Sequence, residues 1–316
     1  MKMVWDAFIA VYLFLAGLGA GAFVLGALTN WAKTPAPRMK RIAFVIAPVA
    51  VAVGTLVLVV DAKAGFANPL RFFLLVSNLN SVMAWGVIIL SVFLAVSVVD
   101  LVLLLVRKKT PKALDVVGMV LAVCVAAYTG VLLGDAGLAF PLWNMAILPL
   151  LFVVSAASTG IAAVLLVTYL AAPDEVEALP FLPKAGLVLP VLELVLVAVL
   201  LGVTAGSSGS AAAAGAASVA NLVSGAYAVP FWLGFVVVGL VLPFALELAR
   251  HRGAGAPKAA AVVGAAAPGA GSDGSAAAAA AGSGKALALV GEAGVLVGGF
   301  MLRYLVIMAA LAVVFA

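Results

Sequence analysis

Eight long apolar runs dominate this chain and restrict what it can fold into. Each run holds about 20 or more residues with few charges, the length that an α-helix needs to cross the hydrocarbon layer of a bilayer. The runs show no strand-like alternation, which excludes a transmembrane β-barrel. The sequence therefore predicts an all-α integral membrane protein with eight transmembrane helices. The runs are Trp5–Trp31, Ile42–Asp61, Ser81–Val106, Leu114–Gly134, Asn144–Leu170, Ala185–Gly206, Val229–Leu248 and Leu287–Phe315.

The composition agrees with a membrane protein. Hydrophobic residues make up 67% of the 316 residues, charged residues 9%, and the mean hydropathy is +1.34, whereas soluble domains are about half apolar and about a quarter charged. The single cysteine, Cys124, excludes a cysteine-ligated iron–sulfur cluster within this chain. The single histidine, His251, excludes a haem with two histidine ligands and a histidine-rich zinc site. We expect no haem and no iron–sulfur cluster in this chain.

The basic residues are distributed unevenly between the loops. Cytoplasmic loops of membrane proteins are enriched in lysine and arginine. Only Lys2, Lys63 and Arg71 precede the first run or follow an even-numbered one, whereas thirteen basic residues follow the odd-numbered runs. We therefore expect both termini on the non-cytoplasmic side of the membrane. The thirteen are Lys33, Arg38, Lys40, Arg41, Arg107, Lys108, Lys109, Lys112, Lys184, Arg250, Arg252, Lys258 and Lys285.

The loop lengths predict two units. Short connections between the first four runs predict a four-helix bundle over residues 1–134, and residues 135–316 would form a second four-helix bundle. Two stretches rich in alanine, glycine and serine, 207–225 and 253–284, are expected to be flexible linkers because small residues bury little surface. Gly17 and Gly21 lie four residues apart in the first run and predict a close contact with a neighbouring helix.

Two tyrosines lie at a similar predicted depth in the first bundle. Tyr12 lies about 10 Å and Tyr128 about 9 Å from the outer boundary, from the rise per helical residue. One interpretation is structural, with tyrosines in the interfacial aromatic belt and asparagine capping the third helix. The other is a niche for an amphiphile with a polar ring and an isoprenoid tail. The polar residues expected near this boundary are Asp6, Asp61, Arg71, Asn78, Asn80, Ser81 and Asp135.

Two charged residues are predicted in the middle of the membrane. Arg303 lies about 20 Å from the outer face, and a guanidinium there costs a few kcal/mol or more without a partner. Glu193 is the mid-membrane acid that matches it, and Pro190 lies three residues before it. A structural ion pair and a step in a proton route are both consistent with this pattern.

Several segments resemble the NrfD/PsrC-like family of membrane subunits of polysulfide reductase and related quinone-linked complexes. The tryptophan–asparagine run that opens the fifth span is the most specific part, and the outer loop containing Asp61, Arg71 and Phe72 is a looser match. The similar segments are "WDAFIAVYLFLAGLGAGAF" (5–23), "NLNSVMAWGVIILSVFL" (78–94), "YTGVLLG" (128–134), "PLWNMAILPLLFVVSAASTG" (141–160), "GLVLPFALEL" (239–248) and "GGFMLRYLVI" (298–307).

The resemblance implies an eight-helix protein that binds menaquinol or menaquinone in its N-terminal bundle. Tyr128 occupies the position of the family's quinone-binding tyrosine. Some members use a histidine and an asparagine in the first span, where this protein has Tyr12 and Phe8. Electrons would pass to or from a ferredoxin-like iron–sulfur subunit outside the membrane, and from there to a molybdopterin or multihaem cytochrome catalytic subunit.

These lines give one set of expected site residues. The quinone would contact Tyr128, Tyr12, Asn80, Asp61 and Arg71, and protons would move through Asp6, Asp135, Glu193 and Arg303. Two alternatives stay open. A secondary transporter also uses scattered intramembrane charges, and a passive membrane anchor of a redox complex would need none of the tyrosine cluster.

Overall fold

The computed structural model of this protein describes residues 7–61, 76–107, 110–253 and 274–314. Within these ranges the regular structure is helical, with no strand, and eight helices are long and apolar enough to cross a membrane. This confirms the predicted all-α membrane architecture. The spans are α1 (Ala7–Leu28), α2 (Pro37–Asp61), α3 (Val82–Arg107), α4 (Lys112–Gly134), α5 (Leu148–Ala171), α6 (Leu182–Ala205), a π-helical segment (Pro230–Val241) that continues as α8 (Leu242–Gly253), and α9 (Gly274–Val314); a shorter helix, α7 (Ala212–Val223), follows α6.

The helix starts follow local chemistry. Proline occupies one of the first two positions of α5 and α6, where its missing N–H group would have no intrahelical partner. The start of α2 is capped by a residue far away in the sequence. The carboxylate of Glu175 accepts hydrogen bonds from the backbone N–H of Arg38 at 3.2 Å and of Met39 at 2.8 Å. A carboxylate at a helix N-terminus also interacts favourably with the helix dipole. Glu175 therefore ties the loop after α5 to the start of α2.

The first helix lies at the centre of the protein. It packs against α2, α4, α5 and α9, and α1, α5 and α9 are the most buried of the eight spans. The span α6 is the least buried, followed by α3 and the π-helical span. Contacts of α1 thus extend across the predicted boundary at residue 134, to helices of both halves of the sequence.

Small residues allow the central helices to approach closely. A Cβ atom at Gly21 would lie 2.8 Å from the carbonyl carbon of Ala156, and one at Gly160 would clash with the backbone of Gly21. The backbones of α1 and α5 are therefore in direct contact, as the glycine spacing in the first run predicts. Gly239 and Gly298 make a similar contact between the π-helical segment and α9.

The structure differs from the prediction of a linker at 207–225. A short 3₁₀ turn at Gly209–Ala211 leads into α7, which packs against α6 and α9. Alanine has the highest helix propensity, and Leu222 is buried at 4% exposure. One large apolar side chain and neighbouring helices are sufficient to hold this alanine-rich stretch as a helix. Most of the second stretch, 254–273, lies outside the described residues, and α9 already begins at Gly274.

Candidate functional site at the end of the first four spans

Tyr12 of α1 and Tyr128 of α4 lie close together inside the helix bundle. Tyr12 is 3% exposed and Tyr128 is 7% exposed, and the two phenol groups are within electrostatic range of each other. The Tyr128 ring packs directly on the backbone of Gly86 in α3, where any side chain would overlap it. Three helices thus place two hydrogen-bonding phenols in an otherwise apolar region.

The predicted rim residues lie at the same end of these helices. Asn78 closes the turn before α3, because its Oδ1 accepts a hydrogen bond from the backbone N–H of Asn80 at 3.2 Å. Asn80 itself is exposed, and so is Asp135, which follows the last residue of α4. This bond stabilises the turn that precedes α3, and the side chains of Asn80 and Asp135 are accessible from outside the bundle.

Three predicted site residues have no described side chain. Asp6 and Arg71 lie outside the described residues. Asp61 is the final residue of α2, and its side chain is likewise outside the described part of the structure. Their assignment to the quinone and proton sites stays a prediction.

Arg303 is fully buried where α1, α5 and α9 meet. Its Nη1 donates to Ser155 Oγ at 3.0 Å and to the backbone carbonyl of Gly299 at 2.8 Å. Its guanidinium carbon lies 5.3 Å from the ring centre of Phe152 and 5.9 Å from that of Phe14, distances at which a cation is attracted to an aromatic face. Hydrogen bonds to Nη1 and the two aromatic rings replace part of the hydration that this cation would have in water, while Nε and Nη2 have no hydrogen-bond partner among the described residues.

Glu193 is the buried acid that acts on Arg303. It is 3% exposed and interacts electrostatically with Arg303, and Ser155 is within hydrogen-bonding range of its carboxylate. Among the described residues Arg303 and Glu193 form no direct ion pair. The Ser155 hydroxyl is bonded to Arg303 and also acts on the Glu193 carboxylate. The sequence predicts the acid and the arginine but misses the serine. The three hydroxyl side chains of Ser155, Ser158 and Thr159 within one apolar span are the available signal for it.

A cavity of about 490 Å³ lies among α5, α6, α8 and α9, at the end of these helices opposite to the end where the two tyrosines lie. Its polar lining includes Tyr169, Arg250 and Glu292, and Arg250 is hydrogen-bonded to both Tyr169 and Glu247.

The cavity also reaches Ser158 and Pro190. Each of these lies three residues, about one helical turn, from Ser155 and Glu193 respectively. Pro190 has no N–H group, so the carbonyl of Gly186 on the preceding turn loses its usual partner.

Trp143 lies just before the fifth apolar run, a position typical of an interfacial aromatic residue, but the structure places it in the interior. It is fully buried, and its Nε1–H donates to the backbone carbonyl of Val306 in α9 at 2.8 Å. The next residue, Asn144, begins the turn into α5: its Oδ1 accepts from the backbone N–H of Ala146 at 3.0 Å and of Ile147 at 3.3 Å. The tryptophan–asparagine pair therefore positions the start of α5 and joins it to α9.

Comparison with known proteins agrees with this architecture. A profile of the family described as "Polysulphide reductase, NrfD" matches residues 1–271. The C subunit of polysulfide reductase from Wolinella succinogenes is 33% identical over 279 residues, covering 79% of this sequence and 85% of that protein. Protein NrfD of Escherichia coli is 31% identical over 296 residues, covering 83% of this sequence and 90% of that protein. The NrfD homolog of Haemophilus influenzae is 28% identical over 282 residues, covering 77% and 82%.

The matched region includes the helices that carry Tyr12, Tyr128, Ser155 and Glu193. It also includes the tryptophan–asparagine pair that positions α5. The eight-span helical protein described here belongs to the polysulphide reductase NrfD family.

Proposed function

We propose that this multi-pass subunit of a bacterial membrane redox complex exchanges electrons between menaquinol or menaquinone and a ferredoxin-like iron–sulfur subunit outside the membrane. A molybdopterin or multihaem cytochrome subunit would be the final electron partner. The observation that carries the proposal is that Tyr128, packed on Gly86, and Tyr12 are both buried within electrostatic range of each other at one end of the first four spans.

The chemistry of this niche fits a quinone ring. A phenol hydroxyl donates a hydrogen bond to a quinone carbonyl and accepts one from a quinol hydroxyl. The surrounding helices are apolar, which suits an isoprenoid tail. Oxidation of one quinol releases two electrons and two protons, and the exposed carboxylate of Asp135 lies at the same end to accept a proton. Asp6, Asp61, Arg71 and Asn80 complete the proposed rim.

We place the second proton-handling step at Arg303, Ser155 and Glu193. The serine hydroxyl accepts a hydrogen bond from Arg303 at 3.0 Å and is near enough to Glu193 to act on its carboxylate. The cavity that reaches Ser158 and Pro190 approaches this group to within about one helical turn. Proton movement along this route would couple the quinone reaction to the second half of the protein.

The direct test is the binding of a fluorescent hydroxyquinoline quinol analogue to the purified protein, followed by quenching of its fluorescence. The wild-type protein should quench it saturably at one analogue per protein molecule. Tyr128→Phe removes one hydrogen bond worth about 0.5–1.5 kcal/mol and should weaken binding by about 2- to 13-fold. Tyr304→Phe is the matched control, because its ring stacks on Phe300 in α9 with the ring centres 6.1 Å apart.

The outcomes separate the candidate functions. Equal weakening by both tyrosine variants would indicate a general effect on the fold and contradict a site at Tyr128. Turnover of quinol that is unchanged in Tyr128→Phe would favour a passive anchor. Saturable solute uptake by the protein alone in vesicles, with no quenching of the analogue, would favour a secondary transporter.

A further inference from the structure

A second buried polar cluster lies at the opposite end of the first four spans. It consists of Asn30, Lys40, Asp100, Thr110 and Asp115, and we call it the basal cluster. Asp115 lies thirteen residues before Tyr128 on α4, so the cluster is about 20 Å along the helix from the phenols. None of its members is used by the proposed quinone site or by the Arg303 group.

Four of the five side chains form one hydrogen-bonded network. Lys40 Nζ donates to Asn30 Oδ1 at 2.6 Å and to Thr110 Oγ1 at 2.9 Å. Asn30 Nδ2 lies 3.0 Å from Thr110 Oγ1 and also donates to Asp115 Oδ2. Thr110 Oγ1 donates to Asp115 Oδ2 at 3.2 Å. The start of α4 is thereby joined to α2 and to the turn after α1.

Asp100 of α3 is buried beside this network with its hydrogen-bonding capacity unused. It is 0% exposed, and neither carboxylate oxygen has a hydrogen-bond partner among the described residues. Oδ1 of the equally buried Asp115 has no partner in the described ranges either. Lys40 from α2 and Asp115 from α4 are the charged groups that act on Asp100, and α2 and α4 are the helices packed against α3.

The charges of the basal cluster do not balance. Two ionised aspartates and one lysine leave one negative charge in a low-dielectric interior, where an uncompensated charge costs several kcal/mol. When two carboxylates share such a site, one of them takes up a proton. We propose that the basal cluster is a proton-binding site, in which Asp100 holds one proton at the end of the bundle opposite the quinone site.

A proton fits the geometry better than a metal ion does. Hard metal cations take about six or more oxygen ligands, whereas among the described residues the cluster offers only the two oxygens of Asp100 and Oδ1 of Asp115. The ammonium group of Lys40 already bonds Thr110 Oγ1, which in turn bonds Asp115. An inorganic cation would therefore be placed beside an existing positive charge.

The experiment is infrared difference spectroscopy of the full-length protein, wild type minus Asp100→Asn, at neutral pH. A protonated Asp100 gives a carboxylic-acid C=O stretching band that is present in the wild type and absent from the variant. The band should move to lower frequency in D₂O, because the proton exchanges with water. Asp174→Asn is the control: Asp174 has a side chain that is 70% exposed, so this change should remove no acid band.

Asp100→Glu is a second control, which separates loss of the carboxyl group from misfolding of the variant. It keeps a carboxyl group, so it should shift the acid band without abolishing it. Absence of the band from the wild type, with both proteins folded by circular dichroism, would overturn the proposal. Asp100 would then be ionised, paired either with a metal cation or with one of Arg107, Lys108 and Lys109. A stabilisation by sodium seen in the wild type but lost in Asp100→Asn would identify the metal.

Discussion

Arg303 of α9 occupies the space that Gly17 of α1 leaves open. A Cβ atom at position 17 would lie 2.6 Å from Arg303 Nη2, well inside van der Waals contact. The absence of a side chain at Gly17 of α1 thus leaves the space that the guanidinium of Arg303 fills. Gly17 lies five residues, about 8 Å, along α1 from Tyr12, so the mid-membrane cation and the proposed quinone niche share one helix.

Gly17→Ala should lower the stability of the protein. The added methyl group displaces the guanidinium from Ser155, and overpacking of this kind costs about 1–3 kcal/mol. Thermal unfolding in detergent, followed by circular dichroism, measures the effect. Gly202→Ala is the matched control, because a Cβ atom there meets nothing within 4 Å. Its stability should be unchanged or raised by up to about 1 kcal/mol. Equal losses in both variants would contradict the steric explanation.

Replacing Arg303 by methionine should be among the most damaging changes in the protein. It leaves Glu193 buried without its opposite charge, and breaking a buried pair by removing one partner costs about 3–5 kcal/mol. The double variant Arg303→Met, Glu193→Gln should recover part of that loss, as seen in a double-mutant cycle of thermal unfolding. Strict additivity of the two single changes would show that the groups act independently.

Gly86→Ala should disturb the proposed quinone site through Tyr128. Any side chain at position 86 overlaps the Tyr128 ring, so the ring has to move from its position beside Tyr12. We expect weaker quenching of the hydroxyquinoline analogue by about tenfold, equivalent to about 1.4 kcal/mol of binding free energy. Gly202→Ala again serves as control, and retention of full affinity in Gly86→Ala would show that the analogue does not depend on the position of Tyr128.

Trp143→Phe should destabilise the protein more than Trp232→Phe does. Trp143 is fully buried, and the variant loses its hydrogen bond to the Val306 carbonyl, at a cost of about 0.5–1.5 kcal/mol, together with part of its buried packing. Trp232 donates to the Val223 carbonyl at 2.9 Å but is 48% exposed at the end of a span. The comparison is made by thermal unfolding of the two variants. A larger effect at Trp232 would contradict the assignment of Trp143 as the contact between α9 and the start of α5.

Glu175→Gln tests the cap on α2. The neutral amide keeps only one of the two acceptor oxygens and loses the charge that faces the helix N-terminus, so a loss of about 1–2 kcal/mol is expected. Glu177→Gln is the control, because Glu177 lies two residues further along the same loop and its side chain is exposed. Thermal unfolding at low and high salt distinguishes the two variants, because the charge–dipole interaction is screened by salt. An equal, salt-independent loss in both would contradict a cap at Glu175.

The length and hydropathy of the apolar runs are enough to predict the spans, because a membrane helix is defined by a long apolar run and needs little further information. The depth argument likewise brings Tyr12 and Tyr128 together, since antiparallel helices of known rise place residues at comparable heights. Arg303 and Glu193 are also identifiable from the sequence, because charged residues are rare within apolar runs.

The sequence does not show in this way which side chains of neighbouring helices contact each other. Ser155 is one of several small polar residues in α5, and only the packing of α5 on α9 shows that it contacts Arg303. Trp143 has the sequence position of an interfacial residue, but α9 covers it. Lys40 has the sequence position of a loop charge that sets topology, whereas it is 8% exposed and bonded to Thr110. Composition is also misleading at 207–225, where alanine favours the helix that forms.

The position of Arg303 on the last of the eight spans has a consequence for biosynthesis. Until α9 leaves the translocon, the slot at Gly17 is empty, Trp143 lacks its acceptor on Val306, and Glu193 faces no cation. Seven inserted spans therefore form an incomplete assembly whose unmet polar groups persist in the lipid phase. Insertion of α9 supplies all three partners together, so the polar groups of the interior are paired only once this span lies beside α1 and α5 in the membrane.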